Sequence, residues 1–199
     1  MGHNKPKTGI QQNRTFDMAI RAVNADERRV TVSFSSELPV NRWYGVEILQ
    51  HDEGNVNLER LNNIGVALFN HDRNYVLGKI ENARLAADEK RTYADIVFDT
   101  DPDADLIYQK VQNGTLKGVS VGYSVDVWEE VAAGKMSSNG RFTGPAYVAV
   151  KWTPLEISIV SVPADDTVGV GRNMEDDTLE PNNSISIFER QIQINKNFI

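Results

Sequence analysis

The sequence predicts a mainly β, α+β domain spanning residues 16–172, and three observations carry that reading. Apolar and polar residues alternate in short runs, the period-2 signature of strands with one buried face. Clusters of Asn, Asp, Gly and Pro part those runs and supply turns. One segment, Asp101–Gly114, instead carries the 3.6-residue spacing of a helix with signals at both ends.

In chain order, residues 1–15 are polar and read as a mobile N-terminal tail. "DMAIRAVNADERRVTVSFSS" predicts two short strands about the turn Asn24-Ala25-Asp26-Glu27. A strand near 44–49 precedes a polar loop with a short helix. "GVALFNHD" (65–72) is an apolar run that stops at Asn70-His71-Asp72. Residues 76–98 predict two strands joined by Ala87-Asp88-Glu89-Lys90.

The helix follows. Asp101 is a good N-cap, Pro102 stands where a missing N–H costs nothing, and Asp103 and Asp105 complement the positive end of the dipole. Ala104, Ile107, Tyr108 and Val111 share one face, and Gly114 is placed to end the helix.

"LKGVSVGYSVDVW" (116–128) alternates as a strand, with Val119, Val121, Tyr123, Val125 and Val127 on one face. The other face carries Ser120, Gly122, Ser124 and Asp126, as though cleared of bulk so that a serine can be reached. Residues 131–146 read as a flexible Gly/Ser loop, and 147–152 and 155–162 as two strands, the second stopped by Pro163. Residues 173–199 form an acidic and then amphipathic C-terminal tail.

Composition narrows the function. The chain has 199 residues, 40% hydrophobic and 25% charged, as in an average soluble domain. No apolar run is long enough to cross a membrane, and "MGHNKPKTGIQQNR" lacks the apolar core of a secretory signal. The net charge of −7 argues against nucleic acid as a partner, since tracking phosphates needs a basic face. With no cysteine, disulfides and thiolate catalysis are excluded, in keeping with a reducing compartment. No spacing of Asn70-His71-Asp72 with the aspartates at 99–105 resembles a metal-ligand set, and the glycines at 169–171 open no phosphate-binding helix. Neither metal nor cofactor is expected. Trp43, Trp128 and Trp152 read as core or rim aromatics.

A nucleophilic serine needs a base, and the base needs a group to hold its tautomer. The three histidines make that search short. His3 lies in the N-terminal tail, His51 in a polar loop, and His71 where an apolar strand meets the surface. Glu156 stands in a strand apolar on both faces, where a carboxylate is costly unless paired with a buried imidazole or guanidinium; the alternative is a glutamate near the sheet edge that reaches solvent or an arginine such as Arg172. Pattern alone does not choose among Ser120, Ser124, Ser158 and Ser161. "GVSVG" (118–122) matches the letters of a nucleophile elbow but lies inside a β-periodic run, which excludes an α/β-hydrolase.

Three segments in order, "GVALFNHDRNYVLGKIE" (65–81), "VQNGTLKGVSVGY" (111–123) and "PLEISIVSVPAD" (154–165), resemble the prohead, or capsid maturation, proteases of HK97-type tailed bacteriophages. The resemblance covers residues 17–172. It implies a closed or nearly closed β-barrel edged by helices, as in the herpesvirus assembly proteases. It also implies a serine endopeptidase with His71 as general base and Ser120 as nucleophile. Glu156 stands where the herpesvirus enzymes carry a second histidine, and a carboxylate can take over that role. Backbone N–H groups of Ala164 or Asp165 would serve the oxyanion hole, because Pro163 has none. The implied substrates are the scaffolding segment of the major capsid protein and the protease itself, inside a prohead assembling in the bacterial cytoplasm. Homodimerisation and docking by the C-terminal tail stay open. Two rivals remain: a β-rich capsid scaffold that kept the fold without the chemistry, and a hydrolase of small esters.

Overall fold

The computed structural model describes residues 5–17 and 22–162. In chain order the elements are β1 (Gln12–Asp17), β2 (Ala22–Asn24), β3 (Arg29–Ser36), β4 (Val40–Arg42), β5 (Gly45–Leu49), α1 (Glu59–Ile64), β6 (Val66–Phe69), β7 (Asp72–Ala86), β8 (Arg91–Phe98), α2 (Pro102–Gln112), β9 (Gly118–Val131) and β10 (Ala146–Val160). The described strands form one sheet in the order β1-β9-β10-β6-β7-β8-β3-β2, with β5 also on β10 and β4 beside β5.

Alternation explains both strand formation and burial. Val119, Val121, Tyr123 and Val125 of β9 meet Ile157 and Ile159 of β10 and Val30, Val32 and Phe34 of β3 in the main core. Each such side chain contributes roughly 2 kcal/mol on leaving water. The sheet curls, so that β3, far along the path, comes back into contact with β1 and β9. No ladder among the described residues closes that gap. The sheet is therefore a curled half-barrel, where the sequence reading expected a closed or nearly closed barrel. Helix α1 packs on β7 and β10, and α2 on β7 and β8.

Helix α2 has the predicted caps. Asp101 accepts from the N–H groups of Asp103 and Ala104, Pro102 opens the helix, and Ala104, Ile107, Tyr108 and Val111 are buried. The chain leaves it through Gly114 at φ 69°. There the N–H of Thr115 returns to the Lys110 carbonyl and that of Gly114 to Val111, a Schellman close.

Two boundaries differ from the sequence reading. Gln12–Asp17 pair with β9, so the ordered sheet begins inside the segment read as an N-terminal tail. The strands expected at 147–152 and 155–162 are one strand, β10, which runs through Pro154. The register shifts between Pro154 and Glu156, and that bulge absorbs the missing N–H. Residues 163–199 lie outside the described residues, and with them the C-terminal tail. Among the described residues no helix is long and apolar enough to cross a membrane.

Candidate active site

The site is assembled by register. In the antiparallel β9–β10 ladder Ser120 stands opposite Ser158, and Gly122 opposite Glu156. Because side chains alternate, those of Ser120, Ser158 and Glu156 point to one face, on which Gly122 leaves a gap. The parallel pairing of β6 with the end of β10, Ile157↔Ala67 through Ile159↔Phe69, brings the β6–β7 turn over that face.

That turn is Asn70-His71, with φ of 52° and 62°. Two successive left-handed residues are what a two-residue hairpin with the right twist requires. Glycine would adopt them freely, whereas histidine there costs roughly 1 kcal/mol. Strand β10 holds the turn in place. Asn70 N–H donates to the Ile159 carbonyl at 2.9 Å, and Asn70 Oδ1 accepts from Ser161 N–H at 2.9 Å. The His71 N–H donates to Ser158 Oγ at 3.1 Å.

His71 Nδ1 lies 2.7 Å from Glu156 Oε1, and Nε2 lies 2.7 Å from Ser120 Oγ. An ionised carboxylate only accepts, so Nδ1 carries the proton in the neutral ring and Nε2 presents a lone pair to the serine. The second Glu156 oxygen accepts from Ser158 Oγ–H at 2.7 Å. The imidazole is partly open, its side chain 22% exposed, while the carboxylate is nearly buried at 8%. In such a setting the pair is little screened, and an imidazolium formed on proton uptake is stabilised where it forms.

Gly122 makes room for that carboxylate. A Cβ on Gly122 would lie 2.3 Å from Glu156 Oε1 and 3.0 Å from Gln11 Nε2. The small-residue face of β9 was expected to be cleared for access to a serine. Instead its space is filled by Glu156, and Ser120 is 0% exposed, with β1 paired along the same strand.

Of the residues singled out in the sequence, Ser120, His71 and Glu156 come together. Ser161 is exposed and bonds to the Asn70 side chain. Among the described residues no hydrogen bond joins Ser124 or Ser161 to a histidine ring. Ser158 was weighed only as a rival nucleophile, yet it links the Glu156 carboxylate to the His71 backbone. Its position two residues after Glu156 on the same strand face was the available signal.

His51, read as a loop residue, is fully buried. It donates from Nδ1 to the Leu49 carbonyl at 2.8 Å and accepts at Nε2 from Ser35 Oγ, 2.6 Å away. Burial pushes its ring down to about 4. Among the described residues no carboxylate meets the ring of this second Ser–His pair, whose Nδ1 faces a backbone carbonyl. His3, Ala164, Asp165 and Arg172 lie outside the described residues.

A serine, an imidazole and a buried glutamate in one hydrogen-bonded line, carried on the strands and a hairpin of a curled mixed sheet, have the arrangement of a serine-hydrolase site without a strand-to-helix elbow. Sequence comparison agrees with that class. The chain belongs to the Caudovirus prohead serine protease family, which it matches over residues 54–180. It is also 34% identical over 150 residues, 74% of its length, to a protein named major capsid protein from Halomonas phage phiHAP-1. The chain spans only 24% of that relative's length. No solved structure matches it.

Proposed function

We propose that this chain is a serine endopeptidase domain acting in phage prohead maturation, with Ser120 as nucleophile, His71 as general base and Glu156 as the group that orients and stabilises His71. The carrying observation is the unbroken line Ser120 Oγ–His71 Nε2 and His71 Nδ1–Glu156 Oε1, each step 2.7 Å. The curl of the sheet is in keeping with a barrel of the herpesvirus assembly protease kind.

The mechanism follows from the proton positions. His71 Nε2 takes the Ser120 proton as Oγ attacks a peptide carbonyl carbon, and Glu156 stabilises the imidazolium. His71 then gives that proton to the leaving amine as the C–N bond breaks. Water, deprotonated by the same nitrogen, hydrolyses the acyl-serine and restores the enzyme. Backbone N–H groups at Ala164 or Asp165 are the proposed oxyanion donors.

The substrates we assign are the scaffolding segment of the major capsid protein and the protease's own chain, inside the assembling prohead. Family membership and the likeness to a phage protein named major capsid protein support that assignment. A fluorophosphonate probe followed by peptide mapping tests the reading. Adduct on the Ser120 peptide, lost in His71→Ala, is expected. No adduct on any serine of a folded protein favours the scaffold reading instead.

A further inference from the structure

Ser120 is fully buried, and the edge of the strand that carries it is already taken by the chain's own first strand. Thr15 stands opposite Ser120 in an antiparallel ladder that runs from Gln12↔Tyr123 to Asp17↔Gly118. A hydrolase whose nucleophile strand already has its free edge paired must open that ladder before an extended substrate can pair there and bring a carbonyl to Oγ.

Successive residues of this edge segment are gripped from different parts of the sheet. Arg73 Nη2 donates to Gln11 Oε1 at 2.8 Å, and the Tyr44 hydroxyl to Gln12 Oε1 at 3.0 Å. Arg42 Nη2 donates to the Asn13 carbonyl at 2.8 Å. The Ser120 hydroxyl lies 3.1 Å from the Arg14 carbonyl oxygen, so the peptide group after residue 14 is the one set against the nucleophile. The hydroxyl has one proton, and the Arg14 carbonyl competes for it with His71 Nε2.

The Arg14 side chain points the other way, into the sheet, and is only 3% exposed. Its Nη1 lies 3.9 Å from Glu47 Oε1, and its Nη2 donates to the Leu38 carbonyl. Glu47 is fully buried and accepts from the Tyr44 hydroxyl, from the Tyr123 hydroxyl at 2.5 Å and from Arg42 at 3.3 Å. A buried carboxylate beside a backbone carbonyl favours a long cationic side chain and rejects an anionic one. Backbone pairing along a strand, with one deep pocket for a side chain, is how a sheet edge binds an extended peptide.

We infer that the outer edge of β9 is the peptide-binding cleft of this domain, that β1 fills it in cis, and that Glu47 with the Leu38 carbonyl selects arginine or lysine at the residue whose carbonyl faces Ser120. The inference rests on the peptidase reading above and names its substrate class: extended segments with a basic residue just before the bond that is cut.

Two measurements on the full chain test it. The first needs no chemistry. Ser120→Ala protein is mixed with excess peptide of sequence QQNRTFD, and amide exchange is followed in β1. The arginine peptide displaces β1 and speeds its exchange by about tenfold, while the same peptide with glutamate in place of arginine does not. If β1 exchanges only together with the β9–β10 ladder whichever peptide is added, it is an integral strand and the inference falls.

The second measurement compares probe labelling at Ser120 in wild type and Arg14→Ala. Emptying the pocket loosens β1, and labelling accelerates by about tenfold or more with the circular dichroism unchanged. Where wild type labels, equal or slower labelling in a folded variant overturns the inference. Displacement without labelling in either protein keeps the cleft and removes the peptidase reading. Labelling without displacement does the reverse.

Discussion

Ser120 and Ser158 face one another across the β9–β10 ladder, and they serve opposite ends of the same histidine. The first touches the ring at Nε2, 2.7 Å away. The second receives the His71 backbone N–H and donates to the carboxylate that holds Nδ1. Register, not proximity in sequence, makes one serine a candidate nucleophile and the other a brace.

Ser158→Ala removes the donor to Glu156 Oε2 and the acceptor for the His71 N–H. A buried polar atom left without a partner costs about 1–3 kcal/mol, so the variant is less stable by that order in urea denaturation. Labelling at Ser120 slows by about tenfold, since a base displaced even slightly loses its alignment. An unchanged rate would remove Ser158 from the positioning role.

Glu156→Gln keeps the shape of the side chain and removes its charge. An amide N–H facing His71 Nδ1 favours the tautomer with the proton on Nε2, which no longer accepts from Ser120. The labelling rate drops by about 1,000-fold or more, while the fold, read by circular dichroism, is retained. A loss of less than about tenfold would mean that the third group lies elsewhere.

Gly122→Ala places a methyl 2.3 Å from Glu156 Oε1. That carboxylate cannot stay where it is. We expect about a 100-fold loss of labelling, because a displacement near 1 Å is enough for it. Amide exchange in β9 and β10 keeps its wild-type protection.

The sequence was most legible where local rules and tertiary packing agree. Asp101, Pro102 and the four buried residues of α2 follow from capping and 3.6-residue spacing, and no partner was needed to read them. His71 was legible as the end of an apolar run, and Glu156 as a carboxylate in a strand covered on both sides. What stayed hidden depends on pairing between distant segments. Nothing in "QQNRTFD" announces a strand, because its partner lies more than a hundred residues away, at Ser120 and its neighbours. Strand β10 was read as two, 147–152 and 155–162, since only the three-dimensional register reveals the bulge that carries it past Pro154. His51 looked solvated because its neighbours are polar, although its partners Ser35 and Leu49 bury it.

Helix α2 offers a test of stability independent of the site. Asp101→Ala removes the acceptor for two N–H groups at the start of the helix. A loss of about 1 kcal/mol is expected in urea denaturation, with Asp101→Asn recovering most of it. Labelling at Ser120 is unaffected, because α2 contributes no group to the site.

His51 gives the domain an acid-sensitive core. Its folded ring is held down to about 4 from 6.5 by burial first, with Arg14 and Arg91 adding repulsion and Asp52 and the Leu49 carbonyl opposing them. Between those two values the unfolded chain binds a proton that the native protein refuses, so stability falls as the pH drops from about 6.5 towards about 4. The difference corresponds to roughly 3 kcal/mol over that window, and there is no contribution above it. His51→Gln separates this term from the carboxylates that titrate nearby. The variant is less stable at pH 7.5, because Ser35 and the Leu49 carbonyl lose a shaped partner. Its stability then declines less steeply than that of wild type between pH 6.5 and 4. Parallel slopes for the two proteins in urea titrations across that range would show that His51 is protonated in the native state and that its burial is not what sets the acid limit.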